Sequence, residues 1–234
     1  MINPNKRTAR IAGLLYLIVV LSGIFSLMYV PGKLIVTGDG SATVKNIIAA
    51  ETLFRLGILS SFICYTAFLL LPLVLCQLLK PVHKTAAILM VVLAIVSVPI
   101  SFVNMFQKLA VLTLISKAEY LQIFDMGQLQ AQVLLHLDYY NNGIKVLTIF
   151  WGLWLLPFGY LVFKSGFLPK ILGILLMIGC FGYLINFTGN FLFTGYRETG
   201  ISRWVSLPAS IAEIGTCLWL LIIGIHSKNL KTDK

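Results

Sequence analysis

Long apolar runs alternate with short polar and basic turns along the whole chain. Residues 151–185 show the pattern most plainly. Two apolar runs there flank a basic turn, Lys164-Ser165-Gly166-Phe167-Leu168-Pro169-Lys170. Neither run has a polar face to offer water, so neither can be the surface helix of a soluble fold. A hydrocarbon core about 30 Å thick is crossed by about 20 residues of helix, and both runs reach that length once followed outward to 143–163 and 168–193. Extended along the chain, the pattern predicts six membrane-crossing helices at about 11–30, 51–79, 85–116, 143–163, 168–193 and 204–225. They form one all-α transmembrane domain over residues 1–234.

Local signals set the expected boundaries. Pro31-Gly32 ends the first run. A short amphipathic helix over 41–48, capped by Ser41, is expected outside the membrane, and a second over 128–137 at the interface. Pro72 is a tolerable kink in the second run. The third run would be roughly 48 Å long, so it must tilt, kink at Pro99 or protrude. Trp151, Trp154, Tyr160, Tyr196, Trp204 and Trp219 fall within a few turns of the expected ends, as interfacial aromatics do. Residues 226–234 form a short polar tail, expected to be disordered.

Composition agrees with this class. The chain is 59% hydrophobic and 11% charged, with mean hydropathy +0.93, where a soluble domain carries about a quarter charged residues. The net charge of +10 does not point to nucleic acid, because the basic residues are scattered among short loops. They are distributed by side instead. Both termini and the turns at Lys80–Lys84 and Lys164–Lys170 hold ten basic residues and one acid, net +9. The other loops and adjoining helix halves hold eight basic residues and seven acids, net +1. Positive charge is retained inside, so both termini are expected on the cytoplasmic side of the cell membrane. The first run is longer than the 7–15 or so residues of a signal peptide's apolar region and lacks a small-x-small cleavage site, so it reads as a retained anchor.

Polar residues inside apolar helices are costly and should face the bundle interior. Three stripes share the i, i+4, i+7, i+11 spacing of one helix face, within about 60° of arc. They are Ser97, Ser101, Asn104 and Lys108; Gly179, Tyr183, Asn186 and Asn190; and Ser206, Ser210, Glu213 and Cys217. By helical rise Lys108 lies about 12 Å from the outer end of its helix, Glu213 about 13–14 Å and Asn186 roughly 10 Å. This predicts an outer-half polar pocket centred on a Lys108–Glu213 pair, with Asn104, Asn186, Asn190 and Arg55 around it. Glu51 and Arg55 are spaced to pair with each other. Two readings stand: a site for a lipid or small amphiphile, or an ion pair and hydrogen bonds that hold helices together. Gly152, Gly159, Gly179 and Gly182 allow close helix approach.

No catalytic set is legible, and the chain is expected not to be an enzyme. It has no GxSxG elbow, no HExxH and no phosphate-binding loop. His83 and His226 fall inside and His136 outside, so three histidines cannot meet around a metal. Cys64, Cys76, Cys180 and Cys217 lie in apolar runs without CxxC spacing and read as small core residues. No cofactor is implied.

Several stretches carry a family resemblance. They are Arg7-Thr8-Ala9-Arg10-Ile11-Ala12-Gly13-Leu14-Leu15-Tyr16, Glu51-Thr52-Leu53-Phe54-Arg55-Leu56-Gly57, Trp151-Gly152-Leu153-Trp154-Leu155-Leu156-Pro157-Phe158-Gly159-Tyr160-Leu161-Val162, and Glu213 ahead of Leu218-Trp219-Leu220-Leu221. The chain resembles the bacterial domain-of-unknown-function family numbered 4386 over nearly its whole length. The resemblance implies a prokaryotic multi-pass membrane protein and no particular activity. It sets Glu51, Arg55 and Glu213 inside family stretches and leaves Lys108 and Asn104 outside them. Three functions are expected as alternatives. The first is binding of a lipid or small amphiphile, and the second is small secondary transport. The third is a structural or assembly role, as a homo-oligomer or beside a membrane partner protein.

Overall fold

Hydrocarbon offers no hydrogen-bond partner to a peptide group, so an apolar run that enters it must pair its backbone internally. The computed structural model, which describes residues 6–116 and 118–225, meets this demand with six long apolar helices and one short one. They are α1 Lys6–Leu34, α2 Gly40–Ala49, α3 Glu51–Leu79, α4 Lys84–Ile115, α5 Met126–Lys164, α6 Lys170–Leu192 and α7 Ile201–Ile223. All but α2 are long and apolar enough to cross a membrane. The expected tail over 226–234 lies outside the described residues.

Three expectations are corrected. First, α1 does not stop at Pro31 but runs to Leu34. A wide π-turn over Phe25–Tyr29 precedes the proline, and Val30 N–H reaches back to the Phe25 carbonyl. Proline has no N–H to give and its ring excludes the carbonyl four residues back, so a locally widened turn absorbs it. Second, Asp39, not Ser41, caps α2, its Oδ1 accepting from Ala42 N–H at 2.8 Å. Third, the expected interfacial helix over 128–137 is the first part of α5. A capping box starts α5 at Asp125, whose Oδ1 accepts from Gln128 N–H at 2.8 Å while Gln128 Oε1 accepts from Asp125 N–H at 3.0 Å. Asp138, Asn141 and Asn142, between that segment and the expected span over 143–163, are helical too. A helix that projects beyond the bilayer can carry such residues without breaking. Gly40 of α2 tucks under this projecting part, against Leu134.

Each span packs on its neighbours in sequence, and α7 returns to α1. Small residues set these crossings. A Cβ at Gly13 would lie 2.5 Å from Leu221 N, so α1 touches the backbone of α7 directly, beside the π-turn Trp219–Ile223. Cβ atoms at Gly159 and Gly182 would fall 2.6 Å from the Gly173 carbonyl and 2.1 Å from the Val205 carbonyl. At Gly152 and Gly179 the nearest atoms would be Tyr183 Cβ at 2.6 Å and Ala209 Cα at 2.8 Å. The inner core gathers around Trp154, which is 1% exposed. Phe158 stacks on it at 5.0 Å and Phe68 meets it edge-on at 5.2 Å. Trp154 is therefore not the interfacial residue its place in the expected helix suggested. Because α5 ends at Lys164, Trp154 sits about 15 Å inside the bundle by helical rise.

Candidate functional site

From the Gly13 contact toward the Phe25–Tyr29 turn of α1, a cleft lies between α1 and α7. Tyr16, Val20, Gly23 and Leu27 of α1 form one wall, and Ser210, Glu213 and Ile214 of α7 form the other. Trp151 and Trp154 of α5 with Tyr65 and Phe68 of α3 close the back. The cavity is about 280 Å³. Ile24, Met28 and Ile214, at its lip, are 46%, 69% and 44% exposed, so the gap between α1 and α7 opens sideways toward lipid.

Glu213 sits at the polar end of this cavity, about 15 Å from Ile223 by helical rise. The Tyr16 hydroxyl donates to its Oε1 at 3.3 Å and the Tyr183 hydroxyl to its Oε2 at 3.5 Å. Both bonds are long, and an ionised carboxylate can accept about four. Among the described residues, no Lys, Arg or His lines this cavity.

A second cavity of about 420 Å³ lies between α5, α6 and α7. Tyr183, Ser210 and Leu27 line both cavities, so the two adjoin. The second is lined mainly by amides and hydroxyls, among them Asn141, Thr148, Asn186, Asn190, Ser202 and Ser206, with Lys145 as its cation. Its wall is built from the two sequence stripes on α6 and α7. Asn186 Nδ2 donates to Ser206 Oγ at 2.8 Å and to the Ser202 carbonyl at 3.1 Å. The Tyr196 hydroxyl donates to Asn186 Oδ1 at 3.0 Å, and Asn190 Nδ2 donates to the Asn186 carbonyl at 2.7 Å. Asn186 is thus a bracket between α6 and α7 as well as a lining residue.

The expected Lys108–Glu213 pair does not form. Span α4 packs on α3 and α5, so its polar stripe meets α5 rather than α7. Lys108 Nζ lies 4.1 Å from the centroid of the Tyr140 ring, a cation–π contact. Asn104 Nδ2 donates to the Tyr140 carbonyl at 3.0 Å. Depth also separates the two charges, since Lys108 shares a cavity wall with Pro31 and Leu34 of α1 while Glu213 meets Tyr16 of the same helix. The predicted single pocket is therefore split, with Glu213, Asn186 and Asn190 on the cavities and Lys108 and Asn104 behind Tyr140. Arg55 and Glu51 do pair, at 2.6 Å, on the exposed first turn of α3 and away from both cavities. Tyr16, Tyr65, Phe68, Trp151 and Trp154 are cavity residues outside the predicted set. A usable signal was present for Tyr16, Trp151 and Trp154, which lie inside the quoted family stretches. Among the described residues no three His, Cys, Asp or Glu side chains are placed to share a metal ion.

Six apolar spans around a buried aromatic core define a multi-pass α-helical membrane protein. The chain belongs to the family described as Domain of unknown function (DUF4386), whose model matches residues 11–224. It is also 34% identical over 76 residues to an uncharacterized protein of Archaeoglobus fulgidus. That match covers 32% of this chain and spans 43% of the relative's length. No solved structure matches the chain.

Proposed function

We propose that this protein sits in the cytoplasmic membrane with both termini inside and binds a lipid or small amphiphile in the cleft between α1, α5, α6 and α7. One observation carries the reading. A polar cavity adjoins an aromatic cavity that opens toward lipid, and Leu27, Tyr183 and Ser210 line both. A ligand with a polar head and an apolar body matches that pair, since pockets of a few hundred Å³ with a few placed polar groups suit small molecules. A free amphiphile in the bilayer would reach it past Ile24, Met28 and Ile214 without crossing water. The charge asymmetry of the loops supports the orientation, and the role is one of binding without chemistry.

Small secondary transport is the second reading. The π-turn over Phe25–Tyr29 contributes Leu27 and Met28 to the cavity, and irregular helix at a binding site is a feature of transporters.

The test is extraction of the purified protein with organic solvent and mass analysis of what it carried. Wild type is expected to carry one amphiphile in stoichiometric amount. Ser210→Phe, which fills the junction of the cavities, is expected to lack it. The same background lipids on both proteins would overturn the proposal.

A further inference from the structure

Among the described residues, Glu213 has no basic partner. Its oxygens take two long tyrosine bonds, and none of the described Lys, Arg or His residues lines the cavity around it. A carboxylate held away from water in this way is costly unless it takes up a proton or a positive charge completes it. Within the protein the obvious candidate was Lys108, and that ammonium faces the Tyr140 ring instead. Six aromatic side chains, Tyr16, Tyr65, Phe68, Trp151, Trp154 and Tyr183, line the cavity beside aliphatic ones such as Val20, Ile24 and Leu27. A ring of aromatic side chains attracts cations through the negative faces of the π-systems, and such cages recognise quaternary ammonium groups. A carboxylate and an aromatic lining thus favour the same sign of ligand charge.

We infer that the cleft selects hydrophobic organic cations, an amine or quaternary ammonium on an apolar body, with the cationic nitrogen held at Glu213. This deepens the amphiphile reading and rests on it. The nitrogen would sit between Glu213 and the aromatic side chains, the apolar body would lie along Ile24 and Met28 toward lipid, and any further polar group would extend past Ser210 among the amides of the second cavity. Lys145 in that second cavity gives the site a sense of direction, since its ammonium repels the cationic end and favours its placement at Glu213.

The test compares three probes with one tail: decyltrimethylammonium, decyl sulfate and decyl maltoside. Each is titrated into the full-length protein in neutral-lipid nanodiscs, and binding is read from tryptophan fluorescence, since Trp151 and Trp154 line the cavity. Decyltrimethylammonium is expected to bind saturably, at least tenfold more tightly than the other two. Glu213→Gln is expected to abolish that preference and Glu213→Asp to retain part of it. Equal saturable binding of all three probes to wild type would overturn the charge selectivity while leaving the amphiphile reading standing. Saturable binding of none would overturn both. The wild-type comparison decides the matter even if a variant does not fold.

Discussion

Tyr16 on the first span and Glu213 on the last meet across 197 positions of sequence, the tyrosine hydroxyl donating to Glu213 Oε1 at 3.3 Å. The contact joins the two helices that close the bundle, at the depth where their separation opens the cleft. Tyr183 approaches the same carboxylate from α6, so one acid is shared by three spans. The arrangement is at once a tie between helices and the polar end of a cavity, and the two roles can be separated by experiment.

Removing one donor should weaken the tie without emptying the site. Tyr16→Phe keeps the buried ring, which is 1% exposed, and deletes only the hydroxyl. A loss of about 1 kcal/mol is expected in denaturant titrations of the detergent-solubilised protein. Tyr16→Phe with Tyr183→Phe should cost more than the sum of the single changes, because together they strip Glu213 of both donors. Strict additivity would mean that the two hydroxyls do not share the carboxylate.

Lys108 and Glu213 should be energetically independent. A double-mutant cycle of Lys108→Met and Glu213→Gln is expected to give coupling near zero. A cycle of Lys108→Met and Tyr140→Leu should give about 0.5–2 kcal/mol, the range of a cation–π contact. Coupling in the first cycle and none in the second would restore the ion pair that the sequence suggested.

The closest helix crossing should be intolerant of a single methyl. A Cβ at Gly182 would fall 2.1 Å from the Val205 carbonyl, which is backbone and cannot rotate away. Gly182→Ala should force α6 from α7 and cost about 1–3 kcal/mol, seen as a lower thermal midpoint for monodispersity in detergent. Gly32→Ala is the matched control, because nothing lies within 4 Å of its new Cβ. Equal midpoints for the two variants would contradict the packing described.

Topology can be read by labelling single cysteines in a background whose four native cysteines are replaced. Ser41→Cys is expected to react with a membrane-impermeant maleimide on intact cells. Ser165→Cys, in the basic turn, should react only after permeabilisation. The reverse pattern would invert the protein and contradict the charge-based orientation.

Much of the bundle was legible because a bilayer imposes one rule on every span. The second run, over 51–79, coincides with α3 Glu51–Leu79, as apolar residues continue to both ends. Misreadings arose where that rule stops. Pro31 looked like a terminus because the compensating π-turn leaves no residue signature. The start of α5 looked like a separate interfacial helix because polar residues beyond the membrane do not show whether one helix continues into the next span. The stripes on α6 and α7 were readable as faces, and Asn186 does meet Ser206. Periodicity fixes a face, but not the neighbour that the face will meet. Lys108 therefore had the right kind of environment, a buried interior, and the wrong assigned partner. Trp154 failed for a related reason. It lies ten residues from the inner end of α5, and a few turns from a helix end is already the middle of a span.

The most direct test of the account is a pair of native mass spectra, wild type beside Glu213→Gln, both released from mild detergent. The account predicts a defined small-molecule adduct on wild type that the variant lacks, and the mass would identify the ligand. A bare protein in both spectra, with the variant only less stable, would contradict it and leave Glu213 as a tie between α1, α6 and α7.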